Sequence, residues 1–413
     1  MRGLFISYNG ALEPLLYSQG IAYLKKLSDR GKSFSILTFE KKKFLADKQR
    51  YRKISAELRA HNIRWYRLVY HKRPAVISTF MDIACGFIYA GYIVVKDKID
   101  IVHARSYVPA VIAFLLRFCL GRKFIFDMRG MMVDEYAEGG IIKKGALLFT
   151  LGKTIEARLL KGSSAVVVLT ERIKDILLYS GDFPALEAAK IRVIPCCVDT
   201  EFFSFSGVKV RPPLLSGLDD RFLFIYTGSV GTWYNLEGML DFFKTAKKMK
   251  TDAHLVILSP GDRSYIELTL KKMGIHSRDF TLGEAELNQI PAFLSFCDAG
   301  LIFYKQTFSR LACSPVKFAE YLACGLPVVI NSGVGDTEMV LRKNAVGAVI
   351  SEFKGNCYEK SLSELFELKN NNARLKEECR RLAVRNFSLE KGALLYKAIF
   401  DDLCLPAAAG KKQ

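Results

Sequence analysis

The sequence predicts an α/β protein made of two Rossmann-like domains, each a doubly wound parallel sheet. Three observations predict it. Short apolar runs alternate with helical patterns through the first half of the chain, the order that parallel strands with crossover helices require. The same alternation starts again in the second half. Between the two series lies a break near Asp199 to Asp220, where Pro212-Pro213 and Ser216-Gly217 punctuate the chain. With 413 residues the chain is longer than one compact core usually takes, and 50% hydrophobic residues are ample for two.

The first series begins with a strand at Leu4–Tyr8, an Asn9-Gly10 turn, and a helix from about Ser18 to Arg30 that stops at Gly31. Strands follow at Phe34–Phe39, Ile99–His103, Phe124–Asp127, Ala165–Leu169 and Ile191–Ile194, with helices at Val108–Leu120 and Gly145–Lys161 among those between them. The second series has strands at Phe222–Tyr226, His254–Leu258, Phe280–Leu282, Ala299–Phe303, Pro327–Ile330 and Ala348–Ile350. Helices such as Leu236–Met249 and Leu287–Phe296 lie between them. Ser388–Leu403 reads as a last amphipathic helix and Pro406–Gln413 as a frayed end. The expected division is 1–200, 201–387, and a helix with its tail at 388–413. Val76–Val95 is mostly apolar and long enough to cross a bilayer, but Asp82 lies inside it and Gly86 and Gly91 interrupt it. It runs straight into a strand, so a buried core helix is the expected reading.

The net charge of +19 is uneven: residues 1–200 carry +15 and residues 201–413 carry +4. Lys41 to Arg73 alone holds twelve basic and two acidic residues, with Phe44, Tyr51, Trp65, Tyr66 and Tyr70 among them. Such a stretch suits an anionic membrane surface or a nucleic acid, or is a solvated helical face. No nucleic-acid-binding motif accompanies it, so a membrane surface outranks nucleic acid. The ten Cys are scattered without a Cys-x-x-Cys pair, and no His stands at metal spacing. They read as reduced thiols of a cytoplasmic protein, and no metal site is expected. The first residues hold no charged segment followed by an apolar signal core, which argues against secretion.

The densest functional signal is Ser314-Pro315-Val316-Lys317-Phe318-Ala319-Glu320-Tyr321, continued by Leu322-Ala323-Cys324-Gly325-Leu326-Pro327-Val328-Val329-Ile330. Ser314 suits a helix N-cap, Pro315 the first helical position, and Gly325 the left-handed residue past the end of a helix of about ten residues. Such a helix start presents free N–H groups to a phosphate, and Lys317 adds a full charge. Glu320 falls roughly 7–8 Å further along the axis, at the reach of a ribose from its diphosphate. A capped amphipathic helix with a solvated Lys317–Glu320 pair is the plain alternative. Thr227-Gly228-Ser229-Val230-Gly231 follows a predicted strand, where Gly228 and Gly231 let the backbone approach a phosphate. In the first half, His103 and Arg105 end one strand, and Asp127 and Arg129 end the next, at the edge where open sheets bind ligands. Asp127 is the first choice for a catalytic group, His103 the second. The structural alternative is an Asp127–Arg129 or Asp134–Arg105 ion pair.

The Ser314–Val329 run resembles the donor-binding signature of glycosyltransferase family 4, and Ile194-Pro195-Cys196-Cys197-Val198-Asp199-Thr200 resembles that family's hinge, with Cys196 and Cys197 in place of Asn-Gly. The resemblance implies the GT-B plan: two domains facing a cleft, with the last helix often crossing back to the first domain. It implies a retaining transferase that uses a nucleoside diphosphate sugar without a metal or other cofactor. The acceptor would be a saccharide or lipid-linked saccharide, in the assembly of a bacterial-type surface polysaccharide or glycolipid. The place would be the cytoplasm or the inner face of the membrane. By position, Gly228, Ser229, Gly231, Ser314, Pro315, Lys317 and Glu320 would hold the donor, Gly283, Glu284 and Leu287 its base, and Asn9, Gly10, Arg105 and Arg129 the acceptor. The chain departs from the family at three places. Ser229 and Tyr234 stand where Arg and Lys are expected, and Ala312 where a first Glu is expected. Lys317 then carries most of the diphosphate charge, with Lys305 or Arg310 as helpers. A nucleotide-sugar epimerase of the same fold and a non-catalytic saccharide- or membrane-binding descendant are the alternatives.

Overall fold

The computed structural model describes residues 1–71, 75–208, 210–261 and 263–405. Lys72 and Arg73 of the basic segment, and the end at Pro406–Gln413, lie outside the described residues. The chain divides into two compact units, Met1–Pro195 with Leu389–Gln413, and Cys196–Ser388.

The first unit holds seven strands: β1 (Arg2–Ser7), β2 (Ser33–Glu40), β3 (Arg64–Val69), β4 (Ile101–Arg105), β5 (Lys123–Asp127), β6 (Ala165–Val168) and β7 (Ile191–Val193). They pair in parallel in the order β3-β2-β1-β4-β5-β6-β7. The second unit holds β8 (Phe222–Thr227), β9 (Ala253–Leu258), β10 (Phe280–Gly283), β11 (Ala299–Ile302), β12 (Val328–Asn331) and β13 (Gly347–Ile350). Their order is β10-β9-β8-β11-β12-β13, again all parallel. Both sheets are doubly wound, with the strand order reversing at β1/β4 and at β8/β11. Ligands of such sheets gather at the carboxyl ends beside the reversal. The central strands are covered on both faces, which is why they read as unbroken apolar runs: every residue of β4, β8 and β9 is buried.

Four features differ from the sequence expectation. β3 was not anticipated; it is the edge of the first sheet, where Arg64 and Arg67 stay exposed and guard the open edge. The charged segment Lys41–Arg73 is therefore not one solvated helical face. It contains a helix, Lys48–Ala60, and that edge strand. The segment Asp199 to Asp220 is not a loose linker. Phe203 and Leu215 are buried in the second core, and Arg211 binds the carbonyls of Leu215 and Leu218. Finally, Val76–Val95 lies in a helix, Ala75–Lys96, that is not a core helix: only 28% of its apolar stretch is buried.

The helix Leu389–Cys404 packs in the first unit. Its Tyr396 ring lies 5.2 Å from that of Tyr23, and its Phe400 ring 5.4 Å from that of Phe34. Arg30–Glu390 and Lys32–Asp401 ion pairs fasten the same helix from outside.

Candidate active site

In the second unit the carboxyl ends of β8, β9 and β10 lie side by side. The Gly228 N–H donates to the Leu258 carbonyl at 2.7 Å, and the Ser259 N–H to the Gly283 carbonyl at 3.0 Å. Gly228 has φ +106, and a Cβ there would come within 2.9 Å of the Lys317 side chain. Glycine is thus required twice over, for the backbone conformation and for the approach of the lysine. Lys317 Nζ stands 3.9 Å from the ring centre of Tyr234 and 4.5 Å from that of Tyr226, and donates to the Tyr226 hydroxyl at 3.2 Å. The Tyr321 hydroxyl receives the Thr227 N–H at 2.9 Å and so ties the helix of the signature to the end of β8. Two segments about ninety residues apart in sequence, each singled out as phosphate-binding, therefore meet at one place.

Glu320 lies on the next turn and stays partly exposed. Its carboxylate has no hydrogen-bond partner among the described residues. Burial pushes its pKa up to about 7, against the opposing pull of Lys317. Protein surrounds this carboxylate without bonding it, and a path to solvent remains. An acceptor in that condition suits hydroxyl donors from a ligand.

The signature helix is Val316–Ala323, eight residues instead of about ten. Ser314 is not its N-cap. Pro315 occupies the cap position in an extended conformation, which puts Ser314 one residue too far out. The Ser314 hydroxyl instead accepts the Cys196 N–H at 3.1 Å, anchoring the segment that enters the second unit. No side chain caps the first turn of the helix. At its other end Gly325 has φ +73, with Gly325 N–H on Leu322 and Leu326 N–H on Tyr321. This is the paired bonding of a left-handed helix stop, as expected.

The remaining residues of the expected site are placed as follows. Ser229 and Gly231 are exposed on the loop after β8, and the Ser229 carbonyl takes the Tyr226 hydroxyl. Gly283 ends β10 against Leu214, and Glu284 and Leu287 are exposed just beyond it. Arg310 is buried, stacked 4.8 Å from Trp233 and bonded to the Ser309 hydroxyl, whereas Lys305 is exposed. Sequence reasoning missed Ser259. It is 1% exposed at the end of β9, between Gly228 and Gly283, and its hydroxyl has no partner among the described residues. The Ser-Pro-Gly that follows β9 was the available signal.

The first unit looks similar at its strand ends, but its charges there are paired with one another. The Asp127 side chain is fully buried. His103 Nε2 and Arg105 Nη1 lie 3.4 Å from Oδ2, the Tyr396 hydroxyl donates to it at 3.1 Å, and Arg129 stands 4.0 Å from Oδ1. Burial alone would raise its pKa, but Arg129, the His103 hydrogen bond and Arg105 outweigh that and bring it to about 2. In this arrangement Asp127 presents no surface to a substrate. The expected acceptor contacts Arg105 and Arg129 are members of the same internal cluster. Asp134 does not meet Arg105 but pairs with Lys153 at 3.0 Å. Asn9-Gly10 is also closed off by the protein. Gly10 N–H donates to Glu13 at 2.9 Å and Ala11 N–H to Glu40 at 2.6 Å, while a Cβ on Gly10 would strike the Glu40 carboxylate. The loop does bind an anion, and that anion is the chain's own Glu40.

Comparison with known proteins bears on the family and the fold. Residues 22–202 match the model of Glycosyltransferase Family 4, and residues 216–382 that of Glycosyl transferases group 1. No curated protein matches by sequence. Among solved structures, a glycosyltransferase from Rickettsia africae aligns at TM-score 0.72 and 16% identity over 98% of this chain and 99% of its own. Sucrose-phosphate synthase from Thermosynechococcus elongatus aligns at 0.70 and 14% over 98% and 99%. The Anabaena protein HepE, in complex with UDP and glucose, aligns at 0.69 and 13% over 97% and 99%. The first match covers the first Rossmann-like unit and runs through residues 194–200, the second lies within the second unit, and together they make the chain a family-4-like glycosyltransferase of the GT-B fold.

Proposed function

We propose that this protein transfers a sugar from a nucleoside diphosphate sugar to a saccharide or lipid-linked saccharide acceptor, with retention of the donor's configuration. The observation that carries the reading is the meeting of Lys317 with Gly228 at the β8 strand end, with the unbonded carboxylate of Glu320 one turn away. The glycine loop and the uncapped helix start receive the diphosphate, and Lys317 offsets its charge. Glu320 takes the ribose hydroxyls. In the transfer step the bond from the anomeric carbon to the diphosphate oxygen breaks and a bond to the acceptor oxygen forms. The acceptor's proton passes to the departing diphosphate oxygen, which takes the electron pair of the broken bond and leaves against Lys317. The complexes of HepE with UDP and glucose make a uridine donor the first to try. Since protein groups supply the positive charge, the reading calls for no metal, and turnover should persist in EDTA.

The test is incubation of the purified protein with a panel of nucleotide sugars and membrane extract, following nucleoside diphosphate release and sugar incorporation. Release that disappears in Lys317→Ala supports the reading. Interconversion of the nucleotide sugar without transfer would make the protein an epimerase. Donor binding without any turnover would favour a non-catalytic descendant, the reading that Ser229 and Tyr234 support by replacing two expected cations.

A further inference from the structure

The helix Ala75–Lys96 is built inside out. Its inward face is small or polar over most of its length: Ser78, Asp82, Gly86 and Ala90 recur every four residues, and all are buried, with Ile93 and Val94 buried beside them at the C-terminal end. Gly86 touches the sheet and the next helix so closely that a Cβ would come within 2.9 Å of Phe39 and 2.6 Å of Ile112. The other large apolar side chains point mostly the other way. Val76, Phe80, Met81, Ile88, Tyr92 and Val95 are exposed, Phe80 by 75% and Ile88 by 71%. Spaced at one to two turns, they form one stripe about 30 Å long at 1.5 Å per residue. A stripe of this size on a monomer marks a contact surface.

We propose that this stripe docks on an anionic lipid bilayer, with the helix lying in the plane of the interface. The charges beside it select that occupant. At the C-terminal end Lys96 and Lys98 are exposed, and Lys96 lies over the rings of Tyr66 and Tyr92. A 620 Å³ cavity at the amino ends of β1 to β4, next to that helix end, is lined by Arg2, Arg59 and Arg64, of which Arg64 is paired with Asp97 on the same wall. At the N-terminal end Lys41, paired with Glu13 at 2.5 Å, lies over the Tyr70 ring, and Tyr70 packs on Tyr8, which donates to Asp82 at 2.8 Å. Cations and tyrosines at the ends of an apolar stripe complement lipid phosphates above acyl chains. A second copy of the chain is the wrong partner, because a symmetric contact through this stripe would bring two such basic surfaces together. The helix does not cross the bilayer either. Asp82 holds its inner face to the fold through Tyr8 and His71, and only the outer face is free to enter lipid. The inference goes beyond the transfer reaction, and its readout is independent of turnover.

The experiment is flotation of the full chain with phosphatidylcholine vesicles, with and without phosphatidylglycerol, at low and high salt. The wild type binds the anionic vesicles and loses most of that binding at high salt. Phe80→Asp/Ile88→Asp, which alters only exposed side chains, lowers the bound fraction at least about tenfold, the effect of withdrawing one large apolar side chain from lipid. Lys96→Glu/Lys98→Glu weakens binding and flattens its salt dependence. Failure of the wild type to bind, or wild-type binding by the double Asp variant, overturns the proposal. So does a solution dimer that the double Asp variant dissolves. Should the variants not fold, the exposed Cys85 on the same helix provides a second measurement. A polarity-sensitive dye there, with Cys119 and Cys404 changed to Ser, shifts to the blue on anionic vesicles; an unchanged spectrum overturns the proposal.

Discussion

The two units present the same edge of the same kind of sheet, and treat charge there in opposite ways. In the first unit the charged groups near the β1/β4 reversal are paired with one another: Glu40 fills the loop after β1, and Asp127 is ringed by His103, Arg105, Arg129 and Tyr396, although His103 Nδ1 and Asp127 Oδ1 make no hydrogen bond among the described residues. In the second unit Glu320 and the Ser259 hydroxyl have no side-chain hydrogen-bond partner among the described residues, and Lys317 is held by two aromatic rings in place of a carboxylate. A buried charge with its own partners holds a fold together, whereas a polar group that protein surrounds without bonding is available for binding. That contrast is the ground for proposing that the first cluster is architectural and that the second binds the donor.

The sharpest way to break the comparison is Asp127→Ala. It would leave Arg105, Arg129 and His103 buried without their anion and release Tyr396 of the last helix. We expect a loss of about 3–5 kcal/mol in urea unfolding. The sign of the pH dependence follows from the depressed pKa. The contribution of Asp127 is complete above its unfolded value of 3.8 and disappears as pH falls toward about 2. A variant as stable as the parent but devoid of turnover would reverse the assignment and make Asp127 catalytic.

Lys317→Ala should do the opposite: stability within about 1 kcal/mol of the parent, as for a partly exposed side chain. kcat/KM should fall by about 10²–10³, as when a preorganised group facing the leaving charge is removed. Equal turnover would remove the donor site from this place.

Glu320 makes a smaller, pH-specific prediction. Its folded pKa of about 7 lies above the ordinary 4.5, so its protonated form suits the free protein. Its contribution to stability is fully present below 4.5 and is lost as pH rises to about 7. Glu320→Gln, which cannot ionise, should therefore match the parent below pH 4.5 and become the more stable of the two as pH rises to about 7. Donor affinity should run the other way, rising through pH 7 in the parent as the carboxylate ionises and staying level in Glu320→Gln. Flat affinity in both would exclude Glu320 from ribose binding.

The buried strands were legible because both faces are covered, so no polar alternation interrupts them. β3 was not, since an edge strand tolerates Arg64 and Arg67 that a central strand would reject. The meeting of Gly228 with Lys317 could be read from two local motifs with one chemistry. The fate of Asp127 could not. Its decisive neighbour, Tyr396, is 269 residues away, and nothing local announces it. The helix Ala75–Lys96 was misread because total apolarity says how much surface avoids water and not which way it faces. The four-residue spacing of Ser78, Asp82, Gly86 and Ala90 held that information.

Tyr234 allows the finest test, because it stands where related enzymes are expected to carry a lysine. Its ring lies 3.9 Å from Lys317 Nζ, so the position that would have supplied a second cation steadies the first one instead. Removing the ring in Tyr234→Leu should cost about 0.5–2 kcal/mol of that hold, the range for a cation over an aromatic face. It should weaken nucleoside diphosphate binding several-fold with little change in fold. Tyr234→Lys separates the two roles. Two ammonium groups would then face each other in the free protein and lower its melting temperature, whereas a bound diphosphate would relieve that repulsion. The stabilisation on adding nucleoside diphosphate should consequently be larger in Tyr234→Lys than in the parent, and smaller in Tyr234→Leu. If all three proteins respond alike, the diphosphate does not reach Lys317, and the difference between an open second unit and a closed first one must lie elsewhere on the β8–β10 edge.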